Sequence, residues 1–276
     1  MHPWADILNE FYTQNKGEAM FLSLVSGSSG NCSLISDGKT TILVDCGLSC
    51  KKLEEALAKA KVDPNDISAV LITHEHSDHI KGAGIISRKY NLPVYATLKT
   101  HEYMNLGKVS SCTVEYVTPG VDLEIGTIGV RPFSIPHDAA DPVGYNFFFG
   151  EKKLSLATDI GKMNDAIFDS LKGSIAVLLE SNHDVNMLQN GRYPAYLKRR
   201  ILSDFGHLSN TDAAKTVLDL IKSGTHHIML GHLSQENNTP TAAYTTTKNY
   251  LEENGVILDK DATLSVAARF EVSRFR

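Results

Sequence analysis

Within seven residues, Thr73-His74-Glu75-His76-Ser77-Asp78-His79 offers three imidazoles and a carboxylate in an HxHxDH spacing. No regular helix or strand turns all four of these groups onto one tetrahedral ion. A loop leaving the end of a strand can direct two of them to one ion and two to another. Imidazole and carboxylate without sulfur suit zinc, iron or manganese. The plain alternative is a solvated polar loop that happens to be rich in histidine. Four specified positions directly after the apolar run 69–73 speak against it.

The elements that must position this loop are legible from periodicity and turns. Short apolar or β-branched runs predict strands over 21–25, 33–35 and 41–44. They are separated by Gly27-Ser28-Ser29-Gly30-Asn31 and Asp37-Gly38. Leu53, Ala56, Leu57 and Ala60 share one face of a helix expected over 51–61, which Asp63-Pro64 ends. The strand over 69–73 runs into His74, and a helix over 80–90 and a strand over 94–96 follow. The middle of the chain predicts strands over 113–117, 121–125, 128–135, 145–149 and 153–157, with hairpins at Gly126 and Gly150-Glu151. Then come a helix over 164–171, a strand over 175–180, helices over 194–203 and 211–223, a strand over 227–230, a helix over 242–253 and a strand over 264–268. Two half-sets, each of strands followed by helices, imply an α/β chain with two packed sheets and helices outside. Periodicity alone does not establish that the sheets face each other.

The chain has 276 residues, enough for one large domain or two small ones. Lys and Arg number 27 against 32 Asp and Glu, a formal net charge of −5. This argues against nucleic-acid binding by bulk positive charge, though not against a local basic patch. An apolar share of 42% and a charged share of 21% are ordinary for a globular chain and exclude wholesale disorder. No apolar run approaches the ~20 residues of a membrane span, so no membrane partner is expected. Cys32, Cys46, Cys50 and Cys112 form no CxxC pair, and a chain of this size needs no disulfides. They read as reduced thiols of a cytoplasmic protein. Residues 1–19 lack the basic start and apolar stretch of a secretory signal. Trp4, Ile7, Leu8 and Phe11 recur at helical spacing there. The segment is either a short amphipathic helix or an extension ahead of an alternative start at Met20. The expected division is an extension over 1–19 and a single domain over 20–276.

With its place at a strand end, the HxHxDH motif resembles that of the metallo-β-lactamase fold superfamily. The resemblance spans about residues 21–270 and implies an αββα sandwich of two mixed β-sheets flanked by helices, with metals at the mouth between the sheets. Residue by residue, Asp45 after Ile42-Leu43-Val44 resembles the aspartate that orients the metal loop. His137 in Ile135-Pro136-His137-Asp138, Asp159 in Thr158-Asp159-Ile160-Gly161 and His232 in Leu230-Gly231-His232-Leu233 resemble the later ligands. The implied division places His74, His76 and His137 on one ion and Asp78, His79 and His232 on a second, with Asp159 bridging. Such a pair shares a water that loses its proton near neutral pH and becomes the nucleophile. The β-lactamases of the superfamily carry a cysteine where this chain has Asp159. That departure, with Asp78-His79 kept together, points toward phosphodiester or thioester hydrolysis.

Two stretches narrow the chemistry. Phe205-Gly206-His207-Leu208-Ser209-Asn210 resembles the additional histidine motif of the phosphodiesterase branch. There, His207 would donate to a phosphate oxygen or act as general acid, and the helix after it would offer free amides to an anion. In Leu179-Glu180-Ser181-Asn182-His183-Asp184, Glu180 would orient His207 and His183 would touch metals or substrate, or else Asn182 and Asp184 simply start a helix. The Ser26–Asn31 loop, through Ser28, Ser29 and Asn31, would cradle a phosphate, although Gly/Ser loops are usually only turns. Arg192-Tyr193-Pro194-Ala195-Tyr196-Leu197-Lys198-Arg199-Arg200 combines cations with aromatics, and Lys198 is its expected phosphate contact. His226-His227 reads as structural.

Together SGSSGN, VDCGLS, THEHSDH, ESNHD and GHLSN are similar to the WalJ/YycJ family of bacterial hydrolases, regarded as DNA exonucleases. That resemblance implies a binuclear metal-dependent phosphodiesterase with two divalent ions (Zn, Mn or Fe). Its substrate would be nucleic acid, DNA above RNA, and Asp78 and His207 its catalytic residues. Too few residues separate Asp159 from His232 for the insertion domain of larger RNA-processing nucleases. The competing enzyme reading is a small-molecule hydrolase acting on a cyclic phosphodiester or a glyoxalase-type thioester. A metal-bound scaffold without turnover would close its coordination rather than keep seven ligands for two ions.

Overall fold

The computed structural model describes residues 19–107 and 114–275. The N-terminal helix expected around Trp4 and Phe11, and Cys112, lie outside the described residues. The first sheet runs in the order β14-β1-β2-β3-β4-β5-β6. Its strands are β1 (Met20–Val25), β2 (Cys32–Ser36), β3 (Thr41–Val44), β4 (Ala69–Leu71), β5 (Val94–Ala96), β6 (Val114–Tyr116) and β14 (Ser273–Arg274). The second runs β13-β12-β11-β10-β9-β8-β7. It holds β7 (Leu123–Ile125), β8 (Ile128–Ser134), β9 (Val143–Phe149), β10 (Lys152–Ala157), β11 (Ala176–Glu180), β12 (His227–Gly231) and β13 (Thr263–Val266). Each sheet is antiparallel in one half and parallel in the other. The parallel halves require crossovers, and helices supply most of them.

Strand alternation decides the layering. Ile42, Val44, Ala69 and Leu71 of the first sheet join Val130, Tyr145, Phe147, Leu156, Leu178 and Met229 of the second in one apolar cluster. The two sheets therefore pack face to face. Leu43 and Val70 point the other way, onto helices α1 (Cys50–Lys59) and α3 (Ala83–Tyr90). Val177, Leu179, Ile228 and Leu230 likewise meet α5 (Asp165–Leu171), α8 (Asn210–Lys222) and α9 (Pro240–Glu253). The layers are thus helix, sheet, sheet, helix, as the resemblance implied.

The helix expected over 80–90 is two pieces, α2 (Ser77–Ile80) and α3. Gly82 interrupts it. Its N–H donates to the Cys46 carbonyl at 2.7 Å, and a Cβ there would come within 2.3 Å of the Leu48 carbonyl oxygen. The break thus lets the metal loop lie against the segment after Asp45. Helix α4 (Leu98–Tyr103) has no expected counterpart; it is too short for periodicity to reveal and is held by the cap Thr97, whereas α6 (Val185–Asn190) is the helix expected as the alternative at Asp184, and Asp184 caps it. Helix α7 (Ala195–Ile201) lies within the expected 194–203. Among the described residues no helix is long and apolar enough to cross a membrane.

Candidate metal centre

The site is built from strand ends. The chain turns sharply after β3, β10 and β12, where Asp45 (φ 60°), Asp159 (φ 60°) and His232 (φ 55°) adopt the left-handed conformation. Each such non-glycine residue costs about 1–3 kcal/mol, a strain that clusters at functional sites. The loop after β4 carries His74, His76, Asp78 and His79 to the same mouth. The second sheet holds this loop, because the Val143 N–H donates to the Thr73 carbonyl at 3.0 Å and Tyr145 Oη to the Ile72 carbonyl at 2.8 Å. On the other side, Gly47 lies so close that a Cβ would sit 1.7 Å from the Asp78 carbonyl oxygen.

Partners beneath the imidazoles choose which ring nitrogen faces the mouth. His79 Nδ1 donates to Asp45 Oδ2 at 2.8 Å, His232 Nδ1 to Glu180 Oε1 at 2.8 Å and His137 Nδ1 to the Gly206 carbonyl at 3.0 Å. Each bond turns Nε2 outward, the arrangement of a metal-ligating histidine, with the Asn31 amide nitrogen 3.1 Å from that of His79. Asp45 also accepts from the Thr73 N–H at 2.9 Å and the Thr73 hydroxyl at 3.0 Å. The expectation that it orients the loop thus has a physical form.

The outward atoms converge. His76 Nδ1 lies 3.1 Å from His74 Nε2 and 3.3 Å from His137 Nε2. Asp159 Oδ2 lies 3.4 Å from His79 Nε2. Its Oδ1 lies 3.4 Å from His232 Nε2 and 3.7 Å from His137 Nε2. Asp78 Oδ2 lies 3.4 Å from His79 Nε2 and 3.6 Å from His232 Nε2. Asp159 therefore faces both groups. Asp159 Oδ2 and His232 Nε2 are buried with no hydrogen-bond partner, a costly state that a cation between them relieves. This donor set, rich in imidazole and carboxylate and free of sulfur, fits divalent metal ions.

The field divides the cluster. Burial, reinforced by His79, His137 and His76, pushes His74 well below the usual imidazole range, and burial outweighs Asp159 to lower His137 as well. Around the acids the sign reverses. Burial opposes it, but Asp45, Asp159 and Asp78 push His79 well up. Against the same opposition Asp159, Asp78 and Glu180 push His232 up to about 10. Asp78 is held well below the carboxylate range, chiefly by His79 and His232 against the effect of burial.

Glu180 has no solvent exposure and spends both oxygens. Oε1 accepts from His207 Nδ1 at 2.9 Å and from His232 Nδ1, and Oε2 accepts from the Ile160 and Leu208 N–H groups at 2.7 and 3.0 Å. It therefore holds Nδ1 of His207 and also that of His232, a second pairing that sequence reasoning did not see. The His207 ring lies between the two ligand groups, 5.0 Å from the His137 ring and 5.4 Å from that of His232. Its side chain is 17% exposed.

Other expected site residues are placed differently. Asn31 is buried; its Oδ1 accepts from the Gly27 N–H at 3.0 Å and its amide nitrogen lies 3.3 Å from Asp78 Oδ2. It braces the metal loop instead of facing substrate. Most of the expected phosphate cradle is also spent internally, since the Gly30 N–H goes to the Gly27 carbonyl and the Asn31 N–H to the Asp78 carbonyl. Ser28 and Ser29 alone of the three stand exposed. The amides opening α8 are taken as well: Leu208 by Glu180, Asn210 by the His183 carbonyl and Asp212 by the Ser209 hydroxyl. They are not free for an anion. His183 is buried, pairs through its backbone with Ser209, and has neither ring nitrogen hydrogen-bonded. Burial pushes it down to about 4. Lys198 Nζ donates to the Gln189 carbonyl at 2.8 Å, away from the ligands. Helix α7 turns Arg200 inward instead, onto the Asp138 carboxylate, whose Oδ1 is 3.4 Å from His137 Nε2.

Sequence reasoning also missed three braces. Ser26 Oγ accepts from the His232 N–H at 2.8 Å, Thr73 carries the Asp45 contact, and Glu75 Oε1 accepts from the Ala140 N–H at 2.8 Å. Their only sequence signal is adjacency to a motif.

The profile of the metallo-beta-lactamase superfamily matches residues 25–232. The chain is 45% identical over 237 residues to Exodeoxyribonuclease YycJ of Bacillus anthracis, covering 85% of this chain and 90% of that one. It is 41% identical over 253 residues to Exodeoxyribonuclease WalJ of Streptococcus pneumoniae, covering 90% and 91%. Among solved structures, the metallo-beta-lactamase fold protein YhfI from Bacillus subtilis superimposes with a TM-score of 0.69 at 16% identity, covering 93% of this chain and 99% of that one. The short form of human tRNase Z does so with 0.63 at 14%, covering 93% and 100%. At such identities these two show the fold alone. The strand-end ligands, the paired sheets and the similarity along most of the chain agree: this protein is a metal-dependent hydrolase of the metallo-beta-lactamase superfamily, in the family of YycJ and WalJ.

Proposed function

We propose that the protein is a binuclear metal-dependent phosphodiesterase that degrades DNA as an exonuclease. The observation that carries this reading is the His207–Glu180 pair beside Asp159. The site adds to its ligands a buried carboxylate holding a partly exposed imidazole, a proton donor suited to an alkoxide leaving from phosphorus. The names of the YycJ and WalJ relatives give the polymer. His74, His76 and His137 would hold one ion, Asp78, His79 and His232 the other, and Asp159 both; zinc, manganese and iron suit the set. Ions so held would supply positive charge against the phosphate and acidify water.

The remaining tasks belong to side chains. Asp45 keeps His79 in the ligating tautomer, and Glu180 does so for His232. Glu180 also orients His207 through Nδ1, and a proton on His207 Nε2 would go to the departing oxygen. The protein loaded with Mn²⁺ or Zn²⁺ should shorten end-labelled DNA stepwise from an end and leave RNA and a thioester largely intact. Turnover of a cyclic phosphodiester or thioester without DNA degradation would replace this reading with the small-molecule one.

A further inference from the structure

A cavity of about 370 Å³ opens beside the metal loop, between α1 and the segment that leads into β14. It is the size of a small ligand site. Lys52 and Lys59 stand exposed on one face of α1, two turns or about 10 Å apart along its axis. Ala56 lies between them and keeps the floor low. Among the described residues neither lysine has an ion-pair partner, and Glu55, on the same face, binds neither. On the opposite wall Phe270 is 64% exposed, next to Arg269. Of the charged residues that line the cavity, two are lysines and one, Glu55, is an acid, although the chain as a whole is negative.

The cavity shares two loops with the metal centre. Ser29 lines it, and Asn31 of the same loop touches Asp78. Gln235 also lines it, and it lies in the segment leaving His232. Arg269 donates to Gln235 Oε1 and to the Leu233 carbonyl, both at 3.4 Å. A strand whose scissile phosphate lay at the metals would have the exposed Ser28-Ser29 turn between it and this space. An exposed ring flanked by cations is how single strands are held irrespective of sequence, because every base has a π-face.

We infer that this groove binds the single strand of the DNA substrate beyond the scissile bond, with Phe270 stacking on a base and Lys52 and Lys59 meeting phosphates. The inference rests on the exonuclease reading above. The test uses the metal-loaded full chain and a fluorescein-labelled phosphorothioate oligothymidylate, followed by anisotropy. Phe270→Ala should weaken binding about 10-fold, within the range of one lost base stack, and Phe270→Trp should restore it, with its indole emission quenched by the oligonucleotide. Lys52→Ala/Lys59→Ala should lower the slope of log Kd against log salt by about 1.4, ~0.7 for each phosphate contact. Hydrolysis of bis(p-nitrophenyl) phosphate, which fills only the metal centre, should change less than twofold in either. Wild-type affinity and salt slope in both variants, while the parent binds and degrades DNA, would overturn the groove alone. A parent that hydrolyses the small diester but neither binds nor degrades DNA overturns the exonuclease reading and the groove with it.

Discussion

Glu180 Oε1 accepts the Nδ1–H of His207 at 2.9 Å from a position closed to solvent. The bond directs His207 Nε2 to the mouth. The same oxygen receives His232 Nδ1. One carboxylate thus orients a metal ligand and the proposed acid together.

His207→Ala should keep its metal and its fold, because the seven proposed ligands do not include His207. Cleavage of DNA should fall ~10²- to 10⁴-fold, the usual worth of general acid catalysis. The loss should be smaller on a p-nitrophenyl diester, whose leaving group needs little protonation. Equal losses on both substrates would make His207 a phosphate-positioning group. No loss on either would remove the phosphodiesterase assignment.

Asp159→Ala removes the one side chain that faces both ligand groups. Elemental analysis of the purified variant should find at least one ion fewer than the two per chain expected of the parent. A variant as full as the parent would show that Asp159 is not a ligand.

Asp45→Asn puts an amide where His79 Nδ1 donates. The ring then keeps its proton on Nε2, the atom facing Asp78 and Asp159. Metal affinity should fall about 10- to 100-fold, typical of a lost partner beneath a ligand. Competition against a chelating dye measures it. Asp45→Glu should not restore the affinity, since the Thr73 N–H and hydroxyl leave no room for a longer chain.

Thiol alkylation under native conditions should leave activity within about twofold. No cysteine is among the ligands, and Cys32 and Cys46 are buried. Contact with Cys32, together with burial, pushes the Cys46 thiol well up, so little reactive thiolate forms. Mass spectrometry should find Cys50, which is only half-buried, modified ahead of both. Metal loss on alkylation of Cys46 would mean that the ligand set is wrong.

The sequence by itself determined the ligand loop, the strand ends that carry Asp45, His137, Asp159 and His232, and the order of the elements. These are local properties: a period of two, a turn residue and a motif are each written within a few neighbours. Tertiary structure alone decided which groups meet. Asp45 and His79 are 34 residues apart and Glu180 and His232 are 52 apart, and no spacing rule pairs them. The run Lys198-Arg199-Arg200 offers three cations at successive angles around a helix. Nothing local says that Arg200 turns to Asp138 and Lys198 to the Gln189 carbonyl. Asn31 likewise reads as a turn residue at the surface, and becomes a buried brace only because Gly47 lets the loops on either side approach to backbone contact.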